Sequence, residues 1–272
     1  MRRTSAGRFL LAVFTWAVGL LFFAPVGWMV LTAFKQEADA HTRTPKLLFE
    51  PTLDQFRQVF ARGIGPYLLN SAAATVVSCL LVLLLAVPAA YALAIRPVRA
   101  TKDALFFFIS TKMLPLVAVI VPIFVGAEQA HLLDSVWALI VLYTGMNLPI
   151  AVWMMRSFLL EVPGEVLEAA KVDGASLRSE VTRVLLPMVA PGIAATGLIC
   201  AIFAWNEFFF AVNLTAITAP TVPVFLVGFI TSEGLYWASL SAATTLAVLP
   251  VVIVGWIAQR QLVRGLSFGA LK

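Results

Sequence analysis

Residues Glu161–Ile193 read EVPGEVLEAAKVDGASLRSEVTRVLLPMVAPGI. Pro163 and Gly164 stop any helix that precedes them and let the chain turn. Glu165–Val172 is a run of good helix formers, with Glu165 and Glu168 near its N-terminus, where the helix dipole favours carboxylates. Gly174 is placed to end that helix in the left-handed conformation, and Ser176 to cap the next one. Pro187 then marks entry into a long apolar run. The stretch predicts a helix–turn–helix, with Val166, Leu167, Ala169 and Ala170 as a small-residue apolar face.

Apolar runs flank this stretch on both sides. The chain has 272 residues, 61% hydrophobic and 12% charged, with mean hydropathy +0.95. A soluble domain carries about 25% charged residues, so this chain cannot cover a soluble surface with charge. The same figures exclude disordered, collagen-like and disulfide-scaffold classes. Runs long enough to cross a bilayer fall at Phe9–Phe34, Tyr67–Ile95, Ala104–Ala127, Ser135–Phe158, Met188–Val212 and Trp237–Ala258. Pro25, Pro88, Pro115, Pro122, Pro149 and Pro250 lie within them and predict a kinked bundle. The expected fold is an all-α membrane protein of six transmembrane helices, a single domain over 1–272. The first run is too long for the core of a signal peptide, despite Arg2, Arg3 and Arg8 before it, and reads as an uncleaved span. Cys79 and Cys200 sit in apolar runs as buried thiols, and His41 and His131 have no metal-ligand spacing, so no metal or cofactor is expected.

Charge sets the orientation. The net charge is +5. With the N-terminus inside, thirteen Lys and Arg fall in cytoplasmic segments and five in outer ones, all five in one long loop: Lys35, Arg43, Lys46, Arg57 and Arg62. The basic excess is thus topological, and no nucleic-acid partner is implied. N- and C-termini are both expected in the cytoplasm of a multi-pass cell (inner) membrane protein. In the outer loop, Phe56, Val59 and Phe60 among charges predict a short amphipathic element on the membrane face or against a partner. Residues 159–187 lie inside. A surface helix resting on lipid headgroups explains their amphipathicity; a docking element for a cytoplasmic partner also explains why minimal loops retain so long a segment here.

The loop carries a signature. Glu168-Ala169-Ala170, three residues, Gly174, nine residues, Val184, one residue, then Leu186-Pro187 resembles the EAA loop of binding-protein-dependent ABC importer permeases, which have Ile where this chain has Val184. Trp205-Asn206-Glu207-Phe208 and the tail Val263-Arg264-Gly265-Leu266 resemble the carbohydrate, maltose-permease-like branch. Ser110-Thr111-Lys112-Met113, Trp237-Ala238-Ser239-Leu240-Ser241-Ala242-Ala243 and Leu262–Ala270 are most similar to sorbitol and mannitol permeases. The resemblance implies a MetI-like bundle that imports a sugar or polyol. It also implies a second homologous permease, two ABC ATPase subunits and an extracytoplasmic substrate-binding protein as partners. The EAA loop would be the coupling helix, seated on the ATPase through Glu165, Glu168, Ala169, Ala170, Asp173, Gly174, Leu186 and Pro187. ATP-driven closure of the ATPase dimer would then rock the spans between inward-facing and outward-facing states. The tail 259–272 either is solvated or reaches the ATPase dimer.

Charges in mid-bilayer are costly, roughly 2.5–3.5 kcal/mol on insertion scales. Lys112 and Glu207 are such charges: they line a polar pathway, or they pair with each other and hold helices together. Asn206 and Glu207 beside Trp205 offer sugar-binding groups next to an aromatic face. Asn147 either joins the pathway or satisfies a carbonyl freed by Pro149, and Asn70 and Ser71 are expected to cap the second span. The chain has no Walker A pattern and is not expected to be an enzyme. The competing readings are the same importer class carrying a disaccharide or glycerol phosphate, and an ion-coupled secondary transporter, for which no internal repeat is found.

Overall fold

A backbone in hydrocarbon must satisfy its own N–H and C=O groups, so apolar runs of this length become helices. The computed structural model describes residues 5–96, 99–231 and 234–268. The chain runs through α1 (Ser5–Ala33), α2 (Glu37–Ala40), α3 (Asp54–Ala61), α4 (Ile64–Ala94), α5 (Thr101–Lys112), α6 (Leu116–Gln129) and α7 (Val136–Leu160). It continues with α8 (Gly164–Val172) and α9 (Leu177–Ser179), then a π-helical turn over Glu180–Leu185 that leads without a break into α10 (Leu186–Trp205). After it come α11 (Phe209–Leu214), α12 (Val222–Val227), a two-residue hairpin of β1 (Ile230–Thr231) and β2 (Gly234–Leu235), and α13 (Trp237–Phe268). Among the described residues, five helices are long and apolar enough to cross a membrane, and the number is six when the bent α5–α6 pair counts as one span. Arg2, Arg3, Gly269, Ala270 and Lys272 lie outside the described residues, as do the side chains of Arg8, Arg260 and Arg264.

Three spans differ from the expectation. The third is not one rod: α5 and α6 meet at 91° around Met113–Pro115. Pro115 has no N–H to continue the ladder and keeps the residue before it out of helical geometry, so the break falls there. Pro122, in contrast, lies inside α6. The fifth span starts earlier and ends earlier than Met188–Val212. Its helical path begins at Leu177 and stops at Trp205, and Pro187 lies within that path rather than at its start. The π-helical turn explains how, because the Leu186 N–H donates to the carbonyl of Val181, five residues back, and the widened turn makes room for the proline ring. The last helix extends past Ala258 to Phe268.

The chain divides into two compact units. The first comprises residues up to Gly65 together with Phe225–Leu249. In it the Glu37 carboxylate accepts from the N–H groups of Ala238 (3.0 Å) and Ser239 (3.2 Å), capping α13 from a residue distant in sequence. The Ser239 hydroxyl donates to Gln55 Oε1 at 2.6 Å. The expected amphipathic element is α3, which buries Val59 and Gln55, stacks Phe56 on Phe34 at 5.2 Å and leaves Phe60 exposed.

The second unit comprises Pro66–Val224 and residues from Pro250 onward. Its core is α7 packed along α10, with α4 and α5 beside them. Gly192 lets the two helices approach closely, since a Cβ there would meet the ring of Phe158 at 2.4 Å. Cys200 is buried and Cys79 half-buried in this core, both as free thiols.

Candidate functional site

Helix α8 begins after Pro163 in extended geometry and is anchored by one side chain. Leu167 is buried among Met155, Leu159, Leu185 and Val189. Of the expected apolar face, Val166, Leu167 and Ala170 share the inward side, with Leu167 buried and the other two half-buried, whereas Ala169 is exposed. At 100° per residue, positions 167 and 169 fall on opposite flanks of so short a helix. Its outward side carries Glu165, Glu168, Ala169 and Val172, with Val172 88% exposed. Among the described residues no ion pair involves Glu165, Glu168, Lys171 or Asp173.

The helix ends as its sequence demands. Gly174 has φ of +77°. The Ala175 N–H donates to the Ala170 carbonyl at 2.9 Å and the Gly174 N–H to that of Lys171 at 3.0 Å, the paired closure of a Schellman motif. Ser176 Oγ accepts from the Ser179 N–H at 3.4 Å and starts α9. Below this turn the Tyr91 hydroxyl donates to Glu180 Oε1 at 2.9 Å, tying the end of α4 to the π-helical turn. Glu180 is buried. Leu186 and Pro187 open α10 directly after that turn, so of the residues expected at the loop, Glu165 to Gly174 share α8 and its cap while Leu186 and Pro187 belong to the span.

The polar groups of the spans do not form one cluster. Lys112 ends α5 at the 91° bend, is exposed and makes no ion pair with Glu207. Glu207 is buried and already engaged: its two carboxylate oxygens accept from the N–H groups of Phe210 (2.9 Å) and Ala211 (3.3 Å), capping α11. Of the alternatives for these two charges, mutual pairing is thus not found among the described residues, and the helix break at 206–208 lets Glu207 cap α11 instead. The buried hydroxyl of Tyr143 lies beside both Glu207 and Thr221. Asn206 is exposed and its amide returns to the Ile202 carbonyl at 2.8 Å. Trp205 lines an apolar cavity of about 400 Å³ with Cys79, Leu83 and Gly197. Asn147 is fully buried, and its amide donates to the Cys200 carbonyl on α10 at 3.4 Å rather than serving Pro149.

Two sites had no local signal. Asn70 and Ser71 lie inside α4 instead of capping it; Asn70 donates to the carbonyls of Thr218 and Pro220, and Ser71 Oγ accepts from the Val222 N–H at 2.9 Å. Asp134 accepts from the N–H groups of Ala216, Ile217, Thr218 and Ala219. Desolvation opposes its ionisation, but these donors outweigh it and hold the carboxyl well below the usual carboxylate range.

Residues 82–268 match the family described as the inner membrane component of binding-protein-dependent transport systems. The chain belongs to this family. The permease is 39% identical over 267 residues to a probable ABC transporter permease, y4oR, of Sinorhizobium fredii, covering 97% of this chain and 96% of that one. It is 32% identical to the diacetylchitobiose uptake system permease DasC of Streptomyces coelicolor, over 94% of this chain and 93% of that one. A chain of a bacterial ABC transporter involved in the import of the acidic polysaccharide alginate superposes with a TM-score of 0.75 at 21% identity, covering 96% of this chain and 99% of that chain, and shows the shared fold. The permease is therefore a multi-pass inner-membrane component of an ABC transporter and not an enzyme.

Proposed function

We propose that the permease forms half of the translocation path of an ATP-driven importer of sugars or polyols, with α8 as the coupling helix. The observation that carries this reading is the state of α8: one buried anchor, Leu167, and an outward side of unspent carboxylates and an almost fully exposed Val172. A partner that covered this side would bury Val172 and offer donors to Glu165 and Glu168. The π-helical turn joins α9 to α10 without a break, and α8 meets α9 across the turn at Gly174 that two hydrogen bonds close, so a push on α8 is passed to the span through a turn of fixed geometry. ATP-driven closure of two ATPase subunits supplies that push, a second permease completes the path, and an extracytoplasmic binding protein delivers the cargo. A carbohydrate cargo follows from the diacetylchitobiose relative and from the Trp205-Asn206-Glu207-Phe208 run. Both termini then lie in the cytoplasm. Trp205, Asn206 and Lys112 remain the groups able to meet cargo, whereas Asn147 and Glu207 hold the helices around them.

The test is site-directed cross-linking in the intact importer, purified through this chain with Cys79 and Cys200 replaced by Ser. Val172→Cys is expected to cross-link to an ATPase subunit, and Leu48→Cys in the outer loop is not. Reaction of Val172→Cys with an impermeant maleimide from outside intact cells would reverse the orientation and remove α8 from the ATPase. Uptake of labelled sorbitol, mannitol, maltose and diacetylchitobiose with and without the gene then assigns the cargo.

A further inference from the structure

Lys35 is the most unusual charge in the first unit. It is 1% exposed, yet among the described residues it has no hydrogen bond and no ion pair. Its ammonium sits 4.0 Å over the ring of Trp28 and 5.2 Å from that of Phe49. Two ring faces attract a cation but do not replace the hydration that burial removes. Desolvation accordingly pushes its pKa down, with Asp39 opposing. Asp39 is not free to neutralise it, because Lys46 Nζ holds that carboxylate at 2.6 Å. The other acid of α2, Glu37, is committed to the amides of α13.

Lys35 lines a cavity of about 460 Å³ formed by the end of α1, the segment after it and the start of α13. Its lining combines the apolar Pro25, Met29 and Leu240 with the cations Lys35, Arg43 and Lys46 and the carboxylate of Asp39. Arg43 is exposed and, among the described residues, makes no ion pair, so beside the Asp39–Lys46 pair the cavity is lined by two cations without a bonded carboxylate.

The geometry points to a binding site for an amphipathic oxyanion, whose phosphate or carboxylate head lies between Lys35 and Arg43 and whose apolar body lies against Pro25, Met29 and Leu240. A buried ammonium without a counterion is a deficit that such a head removes by charge-assisted hydrogen bonding. The same chemistry is carried by an anionic phospholipid of the bilayer and by a soluble acid arriving from the aqueous side. This site is built from residues of the first unit alone and does not rest on the coupling proposal.

The test uses the full chain in its purified complex in phosphatidylcholine nanodiscs. One arm adds phosphatidylglycerol and reads retained lipid by native mass spectrometry. The other adds inorganic phosphate or glucuronate and reads the melting temperature. Lys35→Met is expected to weaken binding about tenfold or more, Arg43→Gln to weaken it in the same direction, and Lys102→Gln on α5 to leave it unchanged. Arg43 is exposed, so its variant keeps the test open if Lys35→Met does not assemble. Retention of phosphatidylglycerol alone assigns a lipid ligand, and a response to phosphate or glucuronate assigns a soluble one. No response of the wild type to any probe, or an equal response in the wild type and both cation variants, overturns the proposal.

Discussion

Replacing Gly174 by a residue with a side chain isolates one physical quantity, the cost of the left-handed turn that ends α8. Its φ is +77°, and an added Cβ would meet nothing within 4 Å. Packing therefore contributes nothing, and the penalty is that of the backbone alone, about 1–2 kcal/mol for an L-residue in this region. That corresponds to a factor of about 5–30 in the population of the closed turn. Two hydrogen bonds depend on that closure, from Ala175 to Ala170 and from Gly174 to Lys171. In Gly174→Ala, hydrogen exchange of these two amides is expected to accelerate by about this factor, while the amides of α7 and α10 keep their protection. Asn tolerates the left-handed region better than Ala, and a β-branched residue tolerates it worst. Exchange, and substrate-stimulated ATPase activity of the reconstituted importer, should therefore follow the order Gly, Asn, Ala, Val. Native protection and native coupling in Gly174→Val would refute the argument. Equal losses in Asn and Val would assign the effect to side-chain bulk at an interface instead of to backbone strain.

Three further outcomes are expected. Gly192→Ala drives a Cβ to 2.4 Å from the Phe158 ring, so it should destabilise the protein by about 1–3 kcal/mol, and Phe158→Leu in the same chain should recover most of that in a thermal melt. Asp134→Asn should cost about 2–3 kcal/mol at neutral pH. Because the folded pKa of Asp134 is depressed, its stabilisation is complete above the unfolded value of about 3.9 and is lost as pH falls further. The wild-type and Asp134→Asn melting temperatures should thus converge below about pH 4, and a gap constant from pH 7 to pH 3 would contradict the ionic reading. Glu37→Gln removes the charge that caps α13 and should lower stability by about 1 kcal/mol, with faster exchange at Ala238 and Ser239.

Much of this protein was determined by its sequence alone. The spans follow from apolar runs, because a chain in lipid has only intrahelical partners for its backbone. The end of α8 at Gly174 and the start of α9 at Ser176 follow from single residues whose preferences act over one turn. Six prolines were expected to kink the spans alike, yet of Pro115, Pro122 and Pro149 only Pro115 stands at a break. Whether a proline kinks, breaks or merely sits in a helix depends on what neighbouring helices offer the freed groups, and that is not local.

Tertiary structure decided the rest. Glu207 looked like a pathway charge because hydropathy places it in a span, and only the break after Trp205 turns it into a cap for α11. Asp134 collects four amides from residues more than eighty positions away, and Asn70, Ser71 and Glu37 likewise find partners that no spacing announces. Burial has the same character. Leu167 and Val172 are both apolar residues of one short helix, and only the packing of α7 and α10 makes the first an anchor and leaves the second exposed. Local backbone preference and hydropathy are properties of adjacent residues; which polar group meets which donor is a property of helices brought together by folding.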